Sequence, residues 1–227
     1  MNIAFFDFDG TISRGDSLFK FVAFARGRWR LYLGLLSRFW ILLLYSVGII
    51  SNTRAKQALM RYFFAGMERE AFLDICARFL PTLESMLKPS AIARLEWHKA
   101  RGDAVVLVSA SFEEYLKPLC EKLGIECIAT KLAVVRGENG SGENGAGKNV
   151  DSGAESVLDS LARNGTKSSY FLNGYFATPN CYGAQKAIRI KARYDLAKYD
   201  EIYAYGDSKG DREMLALATH AFYKNFK

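Results

Sequence analysis

The four cysteines (Cys76, Cys120, Cys127, Cys181) form no C-x-x-C pair. That spacing excludes a thiolate zinc site and a disulfide framework, and leaves free thiols in a reducing compartment. No basic stretch and no small-residue cleavage site accompanies the first apolar run, 3–8, so no secretory leader is expected and a cytoplasmic location is. The most apolar segment, 29–50, is interrupted by Arg30 and Arg38 and keeps only about 12 uncharged residues, short of the roughly 20 that cross a bilayer. Lysine and arginine form no dense run and no nucleic-acid-binding motif, so nucleic acid is not an expected partner. The glycines of 137–149 lack the G-x-x-x-x-G-K-[ST] spacing of a phosphate-cradling loop. No internal repeat is visible.

What is present bounds the answer from the other side. A chain of 227 residues, 50% hydrophobic, buries a substantial core as one domain or as a core with a smaller lobe. Thirty-one basic against 24 acidic residues give a net charge of +7, which favours an anionic partner, whether a phosphorylated substrate, an acidic membrane surface or nucleic acid; charge does not choose among them, and the missing motif sets nucleic acid aside. Segment 29–50 has two readings. One is a buried cap helix; the other is an interfacial helix in peripheral contact with lipid, because aromatic residues and arginines flank its apolar run.

Three short apolar runs, 3–8, 104–108 and 201–205, have the look of buried strands, and each leads into a polar cluster containing Asp or Ser. A parallel sheet with function at its C-terminal edge follows from that pattern. Between the first two runs, helical periodicity covers 53–64, 69–80 and 90–101, with capping side chains at Asn52-Thr53 and a break at Lys88-Pro89-Ser90. Further helices are expected at 112–123, ending at Gly124, and at 184–196. A strand is expected at 126–129 and a hairpin pair at 130–135 and 169–176. The glycine- and asparagine-rich stretch between the pair has too little apolar area to order itself, with room for a short helix at 154–163. The last segment, 221–226, is either a final strand or a chain end.

Asp7 and Asp9, two apart at a strand end before the Gly10-Thr11 turn, can emerge on the same side. Adjacent carboxylates repel unless a cation or proton intervenes, and an oxygen-rich cluster suits Mg²⁺, a hard ion that keeps several waters and binds carboxylates together with substrate phosphate. Asp207 and Asp211 follow the third apolar run in the same manner, so two neighbouring strands would bring four carboxylates together. Ser109 and Ser111, with the amide of Ala110 between them, offer donors for phosphate oxygens after the second run. Lys186, near the start of its helix, offers a cation.

In this order the motifs closely resemble the haloacid dehalogenase superfamily, and within it subfamily IB, the phosphoserine-phosphatase-like branch. Asp7-Phe8-Asp9-Gly10-Thr11 is similar to its first motif, Val108-Ser109-Ala110-Ser111 to the second, Lys186 to the third, and Gly206-Asp207-Ser208-Lys209-Gly210-Asp211 to the fourth. The resemblance implies an α/β fold, a doubly wound, Rossmann-like parallel sheet (1–14 and 102–227) with a helical cap at 15–101; composition makes 137–168 a flexible, glycine- and asparagine-rich insertion within that core. It implies a Mg²⁺-dependent hydrolase of phosphate monoesters with Asp7 as nucleophile and Asp9 as acid and base. Ser109, Ala110 and Lys186 would then bind phosphate. Asp7, Asp207 and the Asp9 carbonyl would ligate the metal, with Asp211 a ligand or a support behind one.

Departures from the phosphoserine phosphatases leave the substrate open. Those enzymes carry an acid nine positions after the nucleophile, where Asp16 stands here with a shorter arm. They also carry a cap arginine, for which Arg54 is the nearest candidate, with Lys56 and Arg61 as neighbours. Where their fourth motif usually has asparagine, this chain has Gly210. Two alternatives follow: a lipid-phosphate (phosphatidylglycerophosphate-like) phosphatase at a membrane surface, and phosphoryl transfer to an alcohol.

Overall fold

The structure is a computed structural model that describes residues 1–137 and 169–226. Beyond Gly137, the glycine-rich stretch, the helix expected at 154–163 and the remaining insertion to 168 lie outside the described residues. The strands are β1 (Ile3–Phe6), β2 (Ala104–Phe112), β3 (Glu126–Thr130), β4 (Leu132–Arg136), β5 (Tyr170–Phe176), β6 (Ile202–Gly206) and β7 (His220–Tyr223). The helices are α1 (Ser17–Arg26), α2 (Arg28–Ser37), α3 (Phe39–Ser46), α4 (Asn52–Phe64), α5 (Arg69–Met86), α6 (Pro89–Ala100), α7 (Glu113–Leu123), α8 (Ala184–Arg193) and α9 (Arg212–Leu215).

Strand β1 is Ile-Ala-Phe-Phe, buried at all four positions. A strand with no polar face belongs inside a sheet covered on both sides. It lies at the centre of a five-stranded sheet of order β3-β2-β1-β6-β7, parallel throughout. This is the expected doubly wound architecture. Ile3, Phe5, Val106, Val108, Ile202 and Ala204 share one apolar cluster with Ile190 and Met214. Elsewhere in the core Phe6 stacks on Tyr205 at 4.4 Å, and buried His98 bridges Asp103 and the Tyr205 hydroxyl at 2.8 and 3.0 Å. Burial lowers the His98 pKa although Asp103 pulls the other way.

The chain divides into two compact units: Met1–Phe21, Ala77–Thr130 and Pro179–Lys227 in one, Val22–Cys76 and Lys131–Thr178 in the other. The helical unit is therefore narrower than the expected 15–101. The second half of α5 and all of α6 group with the sheet, while the β4–β5 hairpin, antiparallel as expected, groups with the helices. There Gly174 of β5 has φ +77°, and a Cβ on it would lie 2.5 Å from the Arg61 Cα of α4. Gly174→Ala is expected to destabilise the protein by roughly 2 kcal/mol through strain and overlap combined. A thermal melt unchanged from wild type would contradict that.

Several local readings are corrected. Segment 29–50 is two helices, broken at Arg38; α2 buries Leu31 and Gly34, while α3 buries none of its residues, so the buried-cap reading fails for α3. The α4 N-cap is Ser51, whose hydroxyl accepts from the Arg54 amide at 3.3 Å; Asn52 and Thr53 are already helical. Helix α5 continues past Pro81 to Met86, because Leu83 and Met86 are buried in the core and hold the turn beyond the proline. Helix α8 ends at Arg193, short of the expected 196. Strand β7 occupies the last segment, so the final-strand reading of 221–226 holds for its first residues.

Candidate active site

The register of the sheet assembles the site. Phe6 of β1 pairs with Leu107 of β2 and with Tyr205 of β6, so the next residues along these strands, Asp7, Val108 and Gly206, form one layer at the C-terminal edge. The Asp7 amide continues the ladder with a 2.9 Å bond to the Tyr205 carbonyl. The strand order reverses at β1, since β2 and β3 lie to one side and β6 and β7 to the other. Crevices at such reversals are where open α/β sheets bind ligands.

Asp7 is 6% exposed. Lys186, 2% exposed, reaches it from the first turn of α8, its Nζ donating to Asp7 Oδ1 at 2.5 Å, Asp211 Oδ1 at 2.6 Å and the Val108 carbonyl at 2.8 Å. All three protons of the ammonium are thus used, as a buried cation requires. Burial alone would push the Lys186 pKa down, but Asp7 and Asp211 together raise it, so it stays charged. Burial pushes Asp7 the other way, up from an ordinary 3.8 to about 7, against the attraction of Lys186 and with Asp211 adding to the rise.

Asp211 is an internal brace. Its Oδ2 accepts from the amides of Asp207 and Ser208 at 3.2 and 2.9 Å and from the Ser208 hydroxyl at 2.8 Å. Burial opposes its charge, yet Lys186 and the Ser208 bonds hold its pKa below the usual carboxylate range. Asp207 is less enclosed, and burial followed by the charge of Asp211 raises its pKa. Asp7, Asp207 and Asp211 each offer an oxygen within 4.8 Å of the others. Three hard oxygen donors with one ammonium among them fit a magnesium ion. Asp211 has both oxygens engaged already, so within this set it fits the supporting role better than the ligand role.

The side chain of Asp9 turns elsewhere. Its Oδ1 accepts from the Ser17 amide, at the start of α1, at 2.7 Å, and its Oδ2 accepts from the Ser111 hydroxyl. The Ser17 hydroxyl lies 3.1 Å from that of Ser111 and 3.0 Å from that of Tyr115. Burial first, then the nearby Asp16 carboxylate, raises the Asp9 pKa, and the serine bonds only moderate it. Asp7 and Asp9 therefore split into two environments, one facing the cation and one facing hydroxyls.

Some expected residues stand in other roles. β2 continues through Ser109, Ala110 and Ser111 to Phe112, its register with β3 shifting between Ser109 and Phe112, so Ser109 lies in the strand and not after it. Its hydroxyl accepts from the Ser111 amide at 3.0 Å, while the Ala110 carbonyl accepts from Thr130 Oγ1 at 3.1 Å. Asp16 caps α1, accepting from the Phe19 amide at 3.1 Å. Arg54 and Lys56 lie on α4, in the other unit. Gly210 lies against Tyr182: a Cβ there would fall 2.6 Å from ring carbon Cδ2, so this position has no room for a larger side chain while the ring stays where it is.

Sequence reading missed Ser17, Tyr115, Thr11 and Lys88. Thr11 Oγ1 lies 3.4 Å from Asp207 Oδ1. The Lys88 ammonium bonds the Gly10 carbonyl, and the Phe226 carbonyl at 3.0 Å. Gly10 itself, at φ +83°, has no room for a Cβ beside the Asp207 carboxylate. Only this glycine carried a local signal, through the turn it makes after the aspartates.

The model of the haloacid dehalogenase-like hydrolases matches residues 4–162 and 146–216. The chain is 28% identical over 225 residues to the protein CicA of Caulobacter vibrioides, covering 98% of this chain and 85% of that one. Its fold resembles that of a Bordetella pertussis Tohama I protein of unknown function at a TM-score of 0.70 and 18% identity, over 96% of this chain and 87% of that one. It resembles a substrate-bound phosphoserine phosphatase at a TM-score of 0.58 and 15% identity, over 95% and 82% of the two chains.

Proposed function

Because the chain belongs to the haloacid dehalogenase-like hydrolase family, we propose that it hydrolyses phosphate monoesters with magnesium, through a phosphoryl group carried on Asp7. The observation that carries this reading is the Lys186 ammonium, buried and shared between Asp7 and Asp211. A pure binding module has no need of a desolvated carboxylate held beside a permanent cation.

In this reading the Asp7 carboxylate attacks phosphorus as the bond to the leaving oxygen breaks, and Asp9 gives its proton to the departing alkoxide. The raised Asp9 pKa supports that role, since the acid must carry a proton when substrate arrives. Asp9 then takes a proton from the water that attacks the acyl phosphate, which returns inorganic phosphate and free Asp7. Ser17 and Ser111 hold Asp9 in one orientation through both steps. Lys186 offsets the repulsion between the carboxylate nucleophile and an anionic substrate. A bound magnesium ion, held by Asp7, Asp207 and the Asp9 carbonyl, would add its charge to the phosphate oxygens.

The test is turnover of p-nitrophenyl phosphate by metal-stripped protein. Adding Mg²⁺ is expected to raise the rate by roughly 10²-fold or more, and EDTA to reverse it. Full activity after stripping would remove magnesium from the reading; no turnover of any monoester across sugar, amino-acid and head-group phosphates would remove the phosphatase.

A further inference from the structure

Helix α3 reads Phe-Trp-Ile-Leu-Leu-Leu-Tyr-Ser and has no buried residue. A helix apolar all round is normally found in a core or in lipid. Here it packs on α4 and on α2, whose buried positions are Leu31 and Gly34. Gly34 is the contact point: a Cβ there would lie 2.7 Å from the Phe63 and Tyr62 rings. Exposed on the α2–α3 pair are Trp29 at 82% and Leu36 and Trp40 each at 72%, and Ile49, three residues past α3, is exposed at 68%. At eight residues α3 is about 12 Å long, far short of the ~30 Å hydrocarbon layer. Among the described residues no helix is long and apolar enough to cross a membrane.

Charge says what covers this face. Between Asp16 and Glu68 the sequence contains no acidic residue and eight basic ones. Arg28 and Arg30 bracket Trp29, and Arg38 joins the two helices. Arg38 lines a cleft of about 370 Å³ with Ile41, Ala58, Arg61, Tyr62 and Ala65. Its guanidinium lies 5.1 Å from the centre of the Tyr62 ring, and its Nε finds no acceptor among the described residues. Exposed aromatic and leucine side chains on an element rich in arginine and without carboxylates match the interfacial layer of an anionic bilayer: rings enter the head-group region and guanidiniums meet lipid phosphates.

We propose that α2 and α3 dock the protein on anionic membranes, lying in the interface without spanning it, with the Arg38–Arg61 cleft receiving a lipid phosphate. This stands independently of the reaction at Asp7, so the two fail separately.

The test is flotation of the whole protein with phosphatidylcholine vesicles, with and without phosphatidylglycerol, at low and high salt. The protein is expected to float with the anionic vesicles, to stay down with the neutral ones, and to detach as salt rises. Trp40→Glu, at an exposed position, is expected to weaken flotation about tenfold or more. Arg28→Glu with Arg30→Glu is expected to lose at least about fivefold per arginine. Both variants should keep the wild-type melting temperature and turnover of soluble p-nitrophenyl phosphate. Failure of wild type to float, or equal binding to neutral vesicles regardless of salt, overturns the proposal. So does a dimer, seen by light scattering, that both variants dissociate: the face would then be covered by a second copy of the chain.

Discussion

Asp7→Asn is expected to fold, to bind substrate, and to turn over p-nitrophenyl phosphate roughly 10⁴-fold or more slowly, the scale on which loss of a covalent nucleophile acts. The amide is isosteric and can still meet Lys186, but it cannot attack phosphorus. Its effect on stability runs in the opposite direction. In the metal-free protein burial pushes Asp7 from 3.8 to about 7. A folded pKa above the unfolded one means that the fold holds a proton which the unfolded chain has released. Between about pH 4 and 7, stability therefore falls as pH rises, and above 7 the whole deficit remains. Asparagine carries no such deficit. The variant should melt higher than metal-free wild type at pH 8 and near it at pH 4. Magnesium should raise the melting temperature of wild type by mass action and that of the variant less. A catalytically dead variant that melts well below wild type at pH 8 would show that the carboxylate stabilises the fold, and the account of its environment would be wrong.

Lys186→Met should cost both activity and stability. Its ammonium sits between Asp7 and Asp211 with donors to both and to the Val108 carbonyl. Methionine fills the space but leaves two carboxylates without their cation. Breaking one side of a buried charge cluster typically costs about 3–5 kcal/mol. The loss should shrink as pH falls and the carboxylates take up protons, and it should shrink again with magnesium. Turnover should drop roughly 10³-fold, in line with removal of a charge aimed at the reacting group. Wild-type melting at neutral pH without metal would mean that Lys186 is not the counter-ion its geometry makes it.

Much of the architecture was legible because its signals are local. Apolar runs ending in Asp or Ser mark strands that deliver chemistry to one edge, and the register of β1 with β2 and β6 then brings Asp7, Ser109 and Asp207 together. What was illegible depends on distance in the chain. Ser17 meets Asp9 only because the N-terminus of α1 folds back on the turn after β1, and nothing about a serine at a helix start announces this. Tyr115 reaches the same network from α7, 98 residues further on. Asp16 was read as a substrate ligand from its spacing, yet its carboxylate caps α1, a short-range option that any Asp before a helix has. Arg38 is visible in the sequence as an interruption of the apolar segment 29–50, but so is Arg30, which lies inside α2; that the chain breaks at one arginine and not the other shows only in the packing of α2 and α3 on α4.

Strand β1 occupies the middle of the sheet yet precedes both of its strand partners in the chain. Its neighbour β2 begins at Ala104 and its other neighbour β6 at Ile202. At about 5–20 residues per second, roughly 10–40 s separate the emergence of Ile-Ala-Phe-Phe from that of its second partner. During the first half of that interval both edges of an apolar strand are unpaired, and until β6 emerges one edge still is, the condition under which chains stick to one another. The yield of this protein on expression should therefore respond more to translation speed and temperature than the stability of the finished sheet would suggest.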